Sequence, residues 1–238
     1  MKVVGVIRFF VAVAISIVSA ILELLLIWVD RRQGRVFHAI ARAWAHAVLF
    51  VCGVKLRVRG LDSVDLSRNY VYVSNHASMF DIPAIVAGIP DQIRIVYKRE
   101  LHVIPFFGWG LKYGAYIGID RGRGPDAMKS LDEAIDRIRN GASVLLYAEG
   151  TRTLDGKLQP FKRGAFNIAV KAGVPVVPLT INGSYARLRK HSIQVVPGTV
   201  ELVLGSPIPV PAGNGKDAEM KLMEAVHAAI AGHYIDQE

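Results

Sequence analysis

The chain has 238 residues, enough for one sizeable hydrophobic core and an appended segment. Its 29 Lys and Arg residues outnumber 20 Asp and Glu residues, and the net charge of +9 favours anionic partners such as phosphate esters, lipid headgroups or nucleic acid. The single cysteine, Cys52, excludes an intrachain disulfide and a cysteine-rich metal site, and its apolar neighbours argue against a cysteine nucleophile. This composition fits a reducing, cytosolic setting.

Residues 9–29 form an almost wholly apolar run, about long enough as a helix to match a hydrocarbon core of ~30 Å. A cleaved signal peptide is the alternative, because Val18 and Ala20 could mark a small-residue cleavage site. The run is longer than an ordinary signal segment, which favours a retained anchor. Glu23 interrupts it, and a carboxylate in hydrocarbon is costly, so we expect this helix either to pack against a partner or to lie in the membrane interface.

A second apolar helix is predicted over residues 36–54, after a short link that contains Arg31, Arg32 and Arg35. Two helices joined in this way predict an antiparallel hairpin, and we expect residues 1–53 to associate with a membrane. If the first helix spans, these arginines place the later chain on the cytoplasmic side. If the hairpin enters one leaflet, they contact anionic headgroups instead. Both arrangements stay open, and either fits an inner or cytoplasmic membrane with the rest of the chain facing the cytoplasm.

From residue 55 onward, short β-branched runs alternate with helical patterns, which predicts an α/β domain over residues 54–238. Predicted strands occupy residues 55–59, 70–74, 93–98, 115–119, 144–147, 176–181 and 200–204. The clearest helix, over residues 125–140, begins at a proline, stops before a glycine and carries an apolar face of Met128, Leu131, Ile135 and Ile138. Further helices are predicted over residues 166–171 and 218–233.

The stretch VSNHASMFDIP, residues 73–83, places a histidine and an aspartate around the turn that follows the second predicted strand. Asp81 has a structural interpretation, as a helix cap or as the acidic member of a capping box headed by Ser78. A lone histidine after a strand is likewise more often an ordinary hydrogen-bonded residue than a catalytic one. In a continuous helix, positions five apart diverge, so His76 and Asp81 can meet only if the chain bends between them.

Three further polar segments strengthen the catalytic interpretation, since each also follows or ends a predicted strand: KRELHVIPFFGWG, GAYIGIDR and YAEGTR. In open α/β sheets, functional sites collect where strands run out into loops. The stretch VSNHASMFDIP and these three segments, followed by the strand VPVVPLTI, resemble in order and spacing the four sequence blocks of the glycerolipid acyltransferase family, in particular its 1-acyl-sn-glycerol-3-phosphate (lysophosphatidic acid) acyltransferases. The resemblance runs from about residue 70 to residue 181 and implies a mixed central sheet flanked by helices.

The family's NHxxxxD block is matched by Asn75, His76 and Asp81, and the resemblance implies that His76 is the general base and Asp81 its orienting carboxylate. In the remaining blocks, the implied substrate-binding residues are Lys98, Arg121, Glu149, Gly150, Thr151 and Arg152 in addition to Asn75. The chain departs from the family pattern FPEGTR, because Tyr147 and Ala148 stand where Phe and Pro are usual.

The same chemistry follows from the residues. Moving an acyl chain from a thioester to an alcohol needs a base for the hydroxyl proton, and imidazole, with an ordinary pKa of ~6.5, suits that task. Without a nucleophile-elbow sequence, direct attack by the acceptor is the simpler scheme. Arg121 and Arg152 offer bidentate contacts for a phosphate, whereas Lys98 could simply pair with Glu100. Glu149 could accept a bond from a glycerol hydroxyl or pair with Arg152.

Two residues outside the blocks, Lys162 and Arg163, precede a predicted helix, an awkward place for cations unless they meet an anion. They are therefore expected to contact the acyl donor or a lipid phosphate.

These observations predict a membrane-bound acyltransferase that converts lysophosphatidic acid to phosphatidic acid. We expect no metal and no bound organic cofactor, with acyl-CoA or acyl carrier protein as the co-substrate, and membrane lipids as partners. Two alternatives are an acyltransferase for another lyso-lipid, such as a lysophospholipid or an amino-acid-containing lipid, and a non-catalytic protein that binds anionic lipid. Nucleic-acid binding is not expected, because the basic residues are dispersed and no nucleic-acid module is recognisable.

Overall fold

The structure is a computed structural model that describes residues 2–26, 34–114, 116–120, 122, 124–213 and 215–236. Its strands are β1 (Val54–Arg59), β2 (Val71–Ser74), β3 (Arg94–Lys98), β4 (Ile117–Ile119), β5 (Val144–Tyr147), β6 (Val176–Asn182) and β7 (Gly198–Leu204). Its α-helices are α1 (Lys2–Leu25), α2 (Arg35–Cys52), α3 (Asp81–Gly88), α4 (Phe107–Tyr113), α5 (Pro125–Arg139), α6 (Arg163–Ala172), α7 (Ser184–Arg187) and α8 (Lys216–Ala231). Short 3₁₀ turns cover Leu61–Ser63 and Arg99–Val103.

The strands form one mixed sheet in the order β1-β7-β6-β2-β5-β3-β4. The five strands from β6 to β4 are parallel, β7 is antiparallel to β6, and β1 is parallel to β7. The carboxyl ends of the five parallel strands therefore meet at one edge, where such sheets build their sites. Each of the seven predicted strands is confirmed to within two residues at its ends, apart from the part of the fourth that falls on Ala115, outside the described residues.

Both faces of the sheet are covered by helices, as a largely parallel sheet requires. Successive side chains along each strand point to opposite faces of the sheet, so the sheet separates two hydrophobic cores. Tyr72 faces the layer that contains α2 and α3, while Val71 and Val73 face the layer that contains α5, α6 and α8. The prediction that Met128 faces the core is wrong, because this side chain on α5 is 67% exposed. The apolar face of α5 is buried only in its second half, where Ala134, Ile135 and Ile138 pack on the sheet.

The predicted N-terminal hairpin is present as α1 and α2, both long and apolar enough to cross a membrane. They pack together, and Trp44 Nε1 donates a hydrogen bond to Ser16 Oγ at 2.9 Å. The basic link with Arg31 and Arg32 lies outside the described residues, as does the end of the first predicted helix. The two helices differ in their surroundings, since α1 buries Gly5, Ala20 and Glu23 whereas α2 buries six residues.

Helix α2 is part of the main core. Its Ala41, Ala45 and Leu49 belong to the same buried cluster as the sheet residues Tyr72 and Leu179. The guanidinium of Arg42 donates to the carbonyl oxygens of Val86, Ala87 and Ile89, at 3.0 to 3.2 Å, and so binds the last turn of α3. The division at residues 53 and 54 stays a prediction about membrane association, but the packing of α2 continues across it.

Helix α1 keeps most of its apolar side chains on the outside. Those at least half exposed are Val3, Val4, Ile7, Phe10, Val18 and Leu25. Its carboxylate is an exception: Glu23 is 7% exposed, and Tyr116 Oη donates to its Oε1 at 3.5 Å. The partner predicted for a carboxylate in this apolar helix is therefore supplied by the α/β domain itself.

Candidate active site

His76 and Asp81 lie together at the carboxyl edge of the sheet, with Nδ1 of the histidine 2.7 Å from Oδ2 of the aspartate. β2 ends at Ser74, and α3 begins at Asp81, so the intervening turn returns the carboxylate to the imidazole. Asp81 is fully buried, whereas the His76 side chain is 17% exposed. Because a carboxylate only accepts, Nδ1 carries the proton of the neutral ring, and Nε2 has a lone pair available to take another.

The turn is held by the same carboxylate. Oδ2 of Asp81 accepts the backbone N–H groups of Ala77 at 2.8 Å and Ser78 at 2.9 Å. Ser78 Oγ accepts the N–H of Phe80 at 3.2 Å and donates to the carbonyl oxygen of Leu188 at 2.8 Å. The bond from Ser78 N–H to Asp81 is one half of a capping box. The Asp81 side chain therefore makes both the capping contact and the contact with the imidazole that the sequence suggested as alternatives.

The loop after β5 holds the backbone of His76 from the other side. Glu149 Oε1 accepts the His76 N–H at 3.0 Å, and the N–H of Thr153 donates to the His76 carbonyl oxygen at 2.9 Å. Glu149 is 2% exposed, and burial raises the pKa of its carboxyl to about 7, with the charge of Asp81 adding to the increase and the bond from His76 opposing it. Glu149 forms no ion pair with Arg152, which contradicts that structural alternative.

Tyr147, one of the two departures from the family pattern, stacks on the histidine. The two rings lie 3.8 Å apart between centroids and 12° from parallel. Ser74 is the register partner of Tyr147, so β2 and β5 place the ring beside the start of the turn that joins His76 to Asp81. The Tyr147 hydroxyl is buried and has no hydrogen-bond partner among the described residues. Sequence reasoning noted the substitution but did not predict the stack.

The other predicted substrate-binding residues differ in how they are placed. Asn75 is 1% exposed, and its amide exchanges two hydrogen bonds with the backbone of Ile181, at 2.8 and 3.0 Å, which favours a positioning role. Lys98 ends β3 and pairs with Glu100 at 3.2 Å, with both side chains at least half exposed. That internal pair is the structural alternative foreseen from the sequence.

The three residues after Glu149 lie on the loop that holds His76. Gly150 has a φ of 74°, in the left-handed region that favours glycine. Thr151 Oγ1 and the Arg152 carbonyl oxygen both accept hydrogen bonds from Lys190. Arg121, expected to bind the acceptor phosphate, lies outside the described residues, so its place in the site stays a prediction.

Comparison with known proteins identifies the family of this chain. The sequence model of the Acyltransferase family matches residues 55–182. A chloroplastic 1-acyl-sn-glycerol-3-phosphate acyltransferase of Brassica napus is 34% identical over 181 residues, covering 75% of this chain and 52% of that protein. A 1-acyl-sn-glycerol-3-phosphate acyltransferase of Pseudomonas aeruginosa is 35% identical over 183 residues, covering 76% of this chain and 69% of that protein.

The fold is also found in a solved structure. The crystal structure of the 1-acyl-sn-glycerophosphate acyltransferase PlsC from Thermotoga maritima superposes with a TM-score of 0.79 at 24% identity, over 98% of this chain and 97% of that one. The chain spans about half the length of the plant relative named above, with 52% of that protein covered. The family model nevertheless covers more than half of the chain and includes both His76 and Asp81. The chain therefore belongs to the acyltransferase family.

Proposed function

We propose that the protein transfers a fatty acyl group from an acyl thioester to the free sn-2 hydroxyl of lysophosphatidic acid and so forms phosphatidic acid. The observation that carries this proposal is the contact of 2.7 Å between His76 Nδ1 and the buried Asp81 carboxylate at the carboxyl edge of the sheet. Relatives from a plant and a bacterium are named for this acceptor, which supports the choice of substrate.

The proposed reaction is a direct transfer. His76 Nε2 takes the proton of the acceptor hydroxyl while the oxygen attacks the thioester carbonyl carbon. Asp81 stabilises the imidazolium and fixes the tautomer. Collapse of the tetrahedral intermediate breaks the C–S bond, and the departing thiolate receives the proton from His76. The proposal needs no metal and no bound organic cofactor.

A covalent acyl-enzyme through the cysteine has no support in the geometry. Cys52 is fully buried at the end of α2, and its sulfur lies 3.9 Å from the carbonyl oxygen of Arg8 on α1. Burial raises the pKa of a thiol, and a thiolate is the reactive form. We therefore assign the nucleophile to the substrate hydroxyl.

In the same proposal, Arg152 and Arg121 bind the acceptor phosphate. Arg152 forms no ion pair with any described residue, so its guanidinium is available to an anion. The protein lies on the inner or cytoplasmic membrane through the exposed apolar side chains of α1, with the α/β domain in the cytoplasm.

The test is a matrix of purified full-length protein, donors and acceptors in lipid vesicles. The donors are acyl-CoA and acyl-loaded acyl carrier protein, and the acceptors are lysophosphatidic acid, lysophosphatidylcholine and a lyso-lipid with an amino-acid headgroup. We expect the highest kcat/KM with lysophosphatidic acid. A clear preference for another lyso-lipid would keep the reaction but overturn the acceptor, and absence of turnover with every pair would overturn the proposed activity.

A further inference from the structure

Two lysines from different parts of the chain lie against the loop of residues 150–152. Lys190 Nζ donates to Thr151 Oγ1 at 3.2 Å and to the Arg152 carbonyl oxygen at 3.3 Å. Lys162 extends over Gly150, because a Cβ added there would lie 3.1 Å from its Cδ and 3.2 Å from its Nζ. Lys190 lies beyond the segments that resemble the family, and nothing in its local sequence links it to this loop.

Both lysines are tied to the segments that carry the His76–Asp81 pair. The Lys162 N–H donates to the Ala148 carbonyl oxygen at 2.7 Å, next to Glu149. Two residues before Lys190, the Leu188 carbonyl oxygen accepts the bond from Ser78 in the catalytic turn. The backbone at or near each lysine is therefore bonded to the segments that carry His76 and Glu149, which places both side chains beside the loop of residues 150–152.

The charges around this loop are unbalanced. In the described part of the chain, Arg152, Lys162 and Lys190 form no ion pair with a carboxylate. Arg163, the neighbour of Lys162, is different, because it pairs with Glu219 at 2.7 Å. Asp155, three residues beyond this loop, accepts bonds from Thr153 Oγ1 and the Lys157 N–H. Three like charges held around one loop repel one another, and a multiply charged anion between them relieves that repulsion.

We propose that Lys162 and Lys190 form, with the loop of residues 150–152, an anion subsite that binds a phosphate ester of a substrate. The proposal rests on the transfer reaction proposed above and extends its anion-binding residues beyond Arg121 and Arg152. Two substrates carry the required chemistry: the acceptor has a phosphate monoester, and the CoA donor has a pyrophosphate and a 3′-phosphate. An ammonium group suits either, since it contacts phosphate as a compact charge with three donors.

The experiment compares Lys190→Met and Lys162→Met with Lys221→Met, which removes the same charge from an exposed position on α8. For the acceptor, KM is measured with lysophosphatidic acid and with phosphate-free monoacylglycerol at saturating donor. For the donor, KM is measured with acyl-CoA and with the phosphate-free acyl-N-acetylcysteamine thioester at saturating acceptor. We expect each site variant to raise the KM of one phosphate-bearing substrate roughly tenfold and to leave its phosphate-free analogue unchanged. The affected substrate identifies the source of the phosphate.

Direct binding separates this proposal from the proposed activity. The Kd of CoA and of lysophosphatidic acid is measured without turnover, and a roughly tenfold loss in Lys190→Met, with recovery in Lys190→Arg, supports the subsite even if no acyl transfer is detected. Lys190→Gln replaces Lys190→Met if the latter does not fold. Equal effects on phosphate-bearing and phosphate-free substrates, or Kd values that match those of Lys221→Met, overturn the subsite whatever the wild-type activity proves to be.

Discussion

Tyr147 lies flat against the imidazole of His76, with the ring centroids 3.8 Å apart and the ring planes 12° from parallel. An aromatic face of this kind limits the rotation of the imidazole, and in the proposed mechanism it would attract the imidazolium formed by proton capture, an effect of about 0.5 to 2 kcal/mol. The phenol contributes differently. Its buried hydroxyl has no partner among the described residues, and burial, with the charge of Asp81, raises its pKa well above the ordinary value, so it stays neutral.

The stack predicts that two substitutions of Tyr147 will affect kcat differently. Tyr147→Leu removes the aromatic face and should lower kcat about tenfold with little change in the acceptor KM. Tyr147→Phe keeps the face and removes an unpaired buried hydroxyl, so it should retain wild-type kcat with an equal or higher melting temperature. Steady-state kinetics and thermal melts of both variants measure this. A Tyr147→Leu protein with normal kcat would show that the stack only packs the core.

The pair of His76 and Asp81 predicts a non-additive loss of activity. His76→Ala should leave folding intact and lower kcat by about two to four decades, the usual scale for a positioned base. Asp81→Asn should cost much of the same activity, because an amide can take part in the turn but cannot stabilise an imidazolium. The double mutant should be little worse than His76→Ala, since the two side chains act as one unit.

The decisive measurement for this pair is turnover of folded Asp81→Asn at saturating substrates. Near wild-type turnover would reduce Asp81 to its role in the turn, where Oδ2 accepts the Ala77 and Ser78 N–H groups.

Arg152 should contribute to acceptor binding and not to donor binding. Arg152→Ala is expected to raise the KM for lysophosphatidic acid by roughly one to two decades, because one charge-assisted hydrogen-bonding partner is worth about 1.5 to 3 kcal/mol. Arg121→Ala should behave alike. Arg57→Ala, which removes a charge from an exposed position on β1, is the control. An equal rise in KM with monoacylglycerol would argue against a phosphate contact.

Glu149 should make stability depend on pH. Its pKa is raised from 4.5 to about 7 in the folded protein, so the folded state holds this proton more tightly than the unfolded state. As pH rises from about 4.5 to 7, Glu149 therefore lowers the free energy of unfolding. Gln cannot titrate, so the melting temperature of Glu149→Gln should rise relative to that of the wild type between about pH 4.5 and 7. Above pH 7 the difference between the two melting temperatures should stay constant.

Melts at pH 5 and pH 8 test this prediction, with Glu224→Gln, exposed on α8, as the control. A constant difference between Glu149→Gln and wild type at both pH values would contradict it.

The two helices of the hairpin should respond differently to truncation. A chain that begins at residue 34 lacks α1 and should keep a folded α/β domain while losing most of its affinity for vesicles. A chain that begins at residue 54 also lacks α2 and exposes apolar side chains such as Tyr72 and Ile85, which share a buried cluster with residues of α2, so it should aggregate. Circular dichroism and vesicle sedimentation distinguish the outcomes. A folded, soluble chain from residue 54 would show that α2 is dispensable.

Much of the architecture could be predicted because it depends on local patterns. The strands appear as short apolar or β-branched runs, and the spacing of His76 and Asp81 requires a bend if the two side chains are to meet, as they do in the structure. The packing of α2 into the hydrophobic core of the α/β domain could not be predicted from the sequence, because an apolar helix has the same composition whether lipid or a protein core surrounds it. Long-range contacts were hidden for another reason: Asn75 meets Ile181, 106 positions away, and no local pattern encodes that partner.

Helix α3 begins at Asp81. The carbonyl oxygens that accept hydrogen bonds from Arg42 lie at the opposite end of this helix, in its last turn and on the residue that follows it. Eight residues of helix, ~12 Å long, thus link Arg42 in the hairpin to the Asp81 carboxylate. Local opening of α2 would release α3 and let Asp81 separate from His76. This would happen before the backbone amides of the central strands exchange their hydrogens with solvent. Hydrogen exchange of α2 and α3 should therefore proceed as one cooperative unit, and detergents that loosen the hairpin should abolish turnover while the amides of β2 and β6 stay protected.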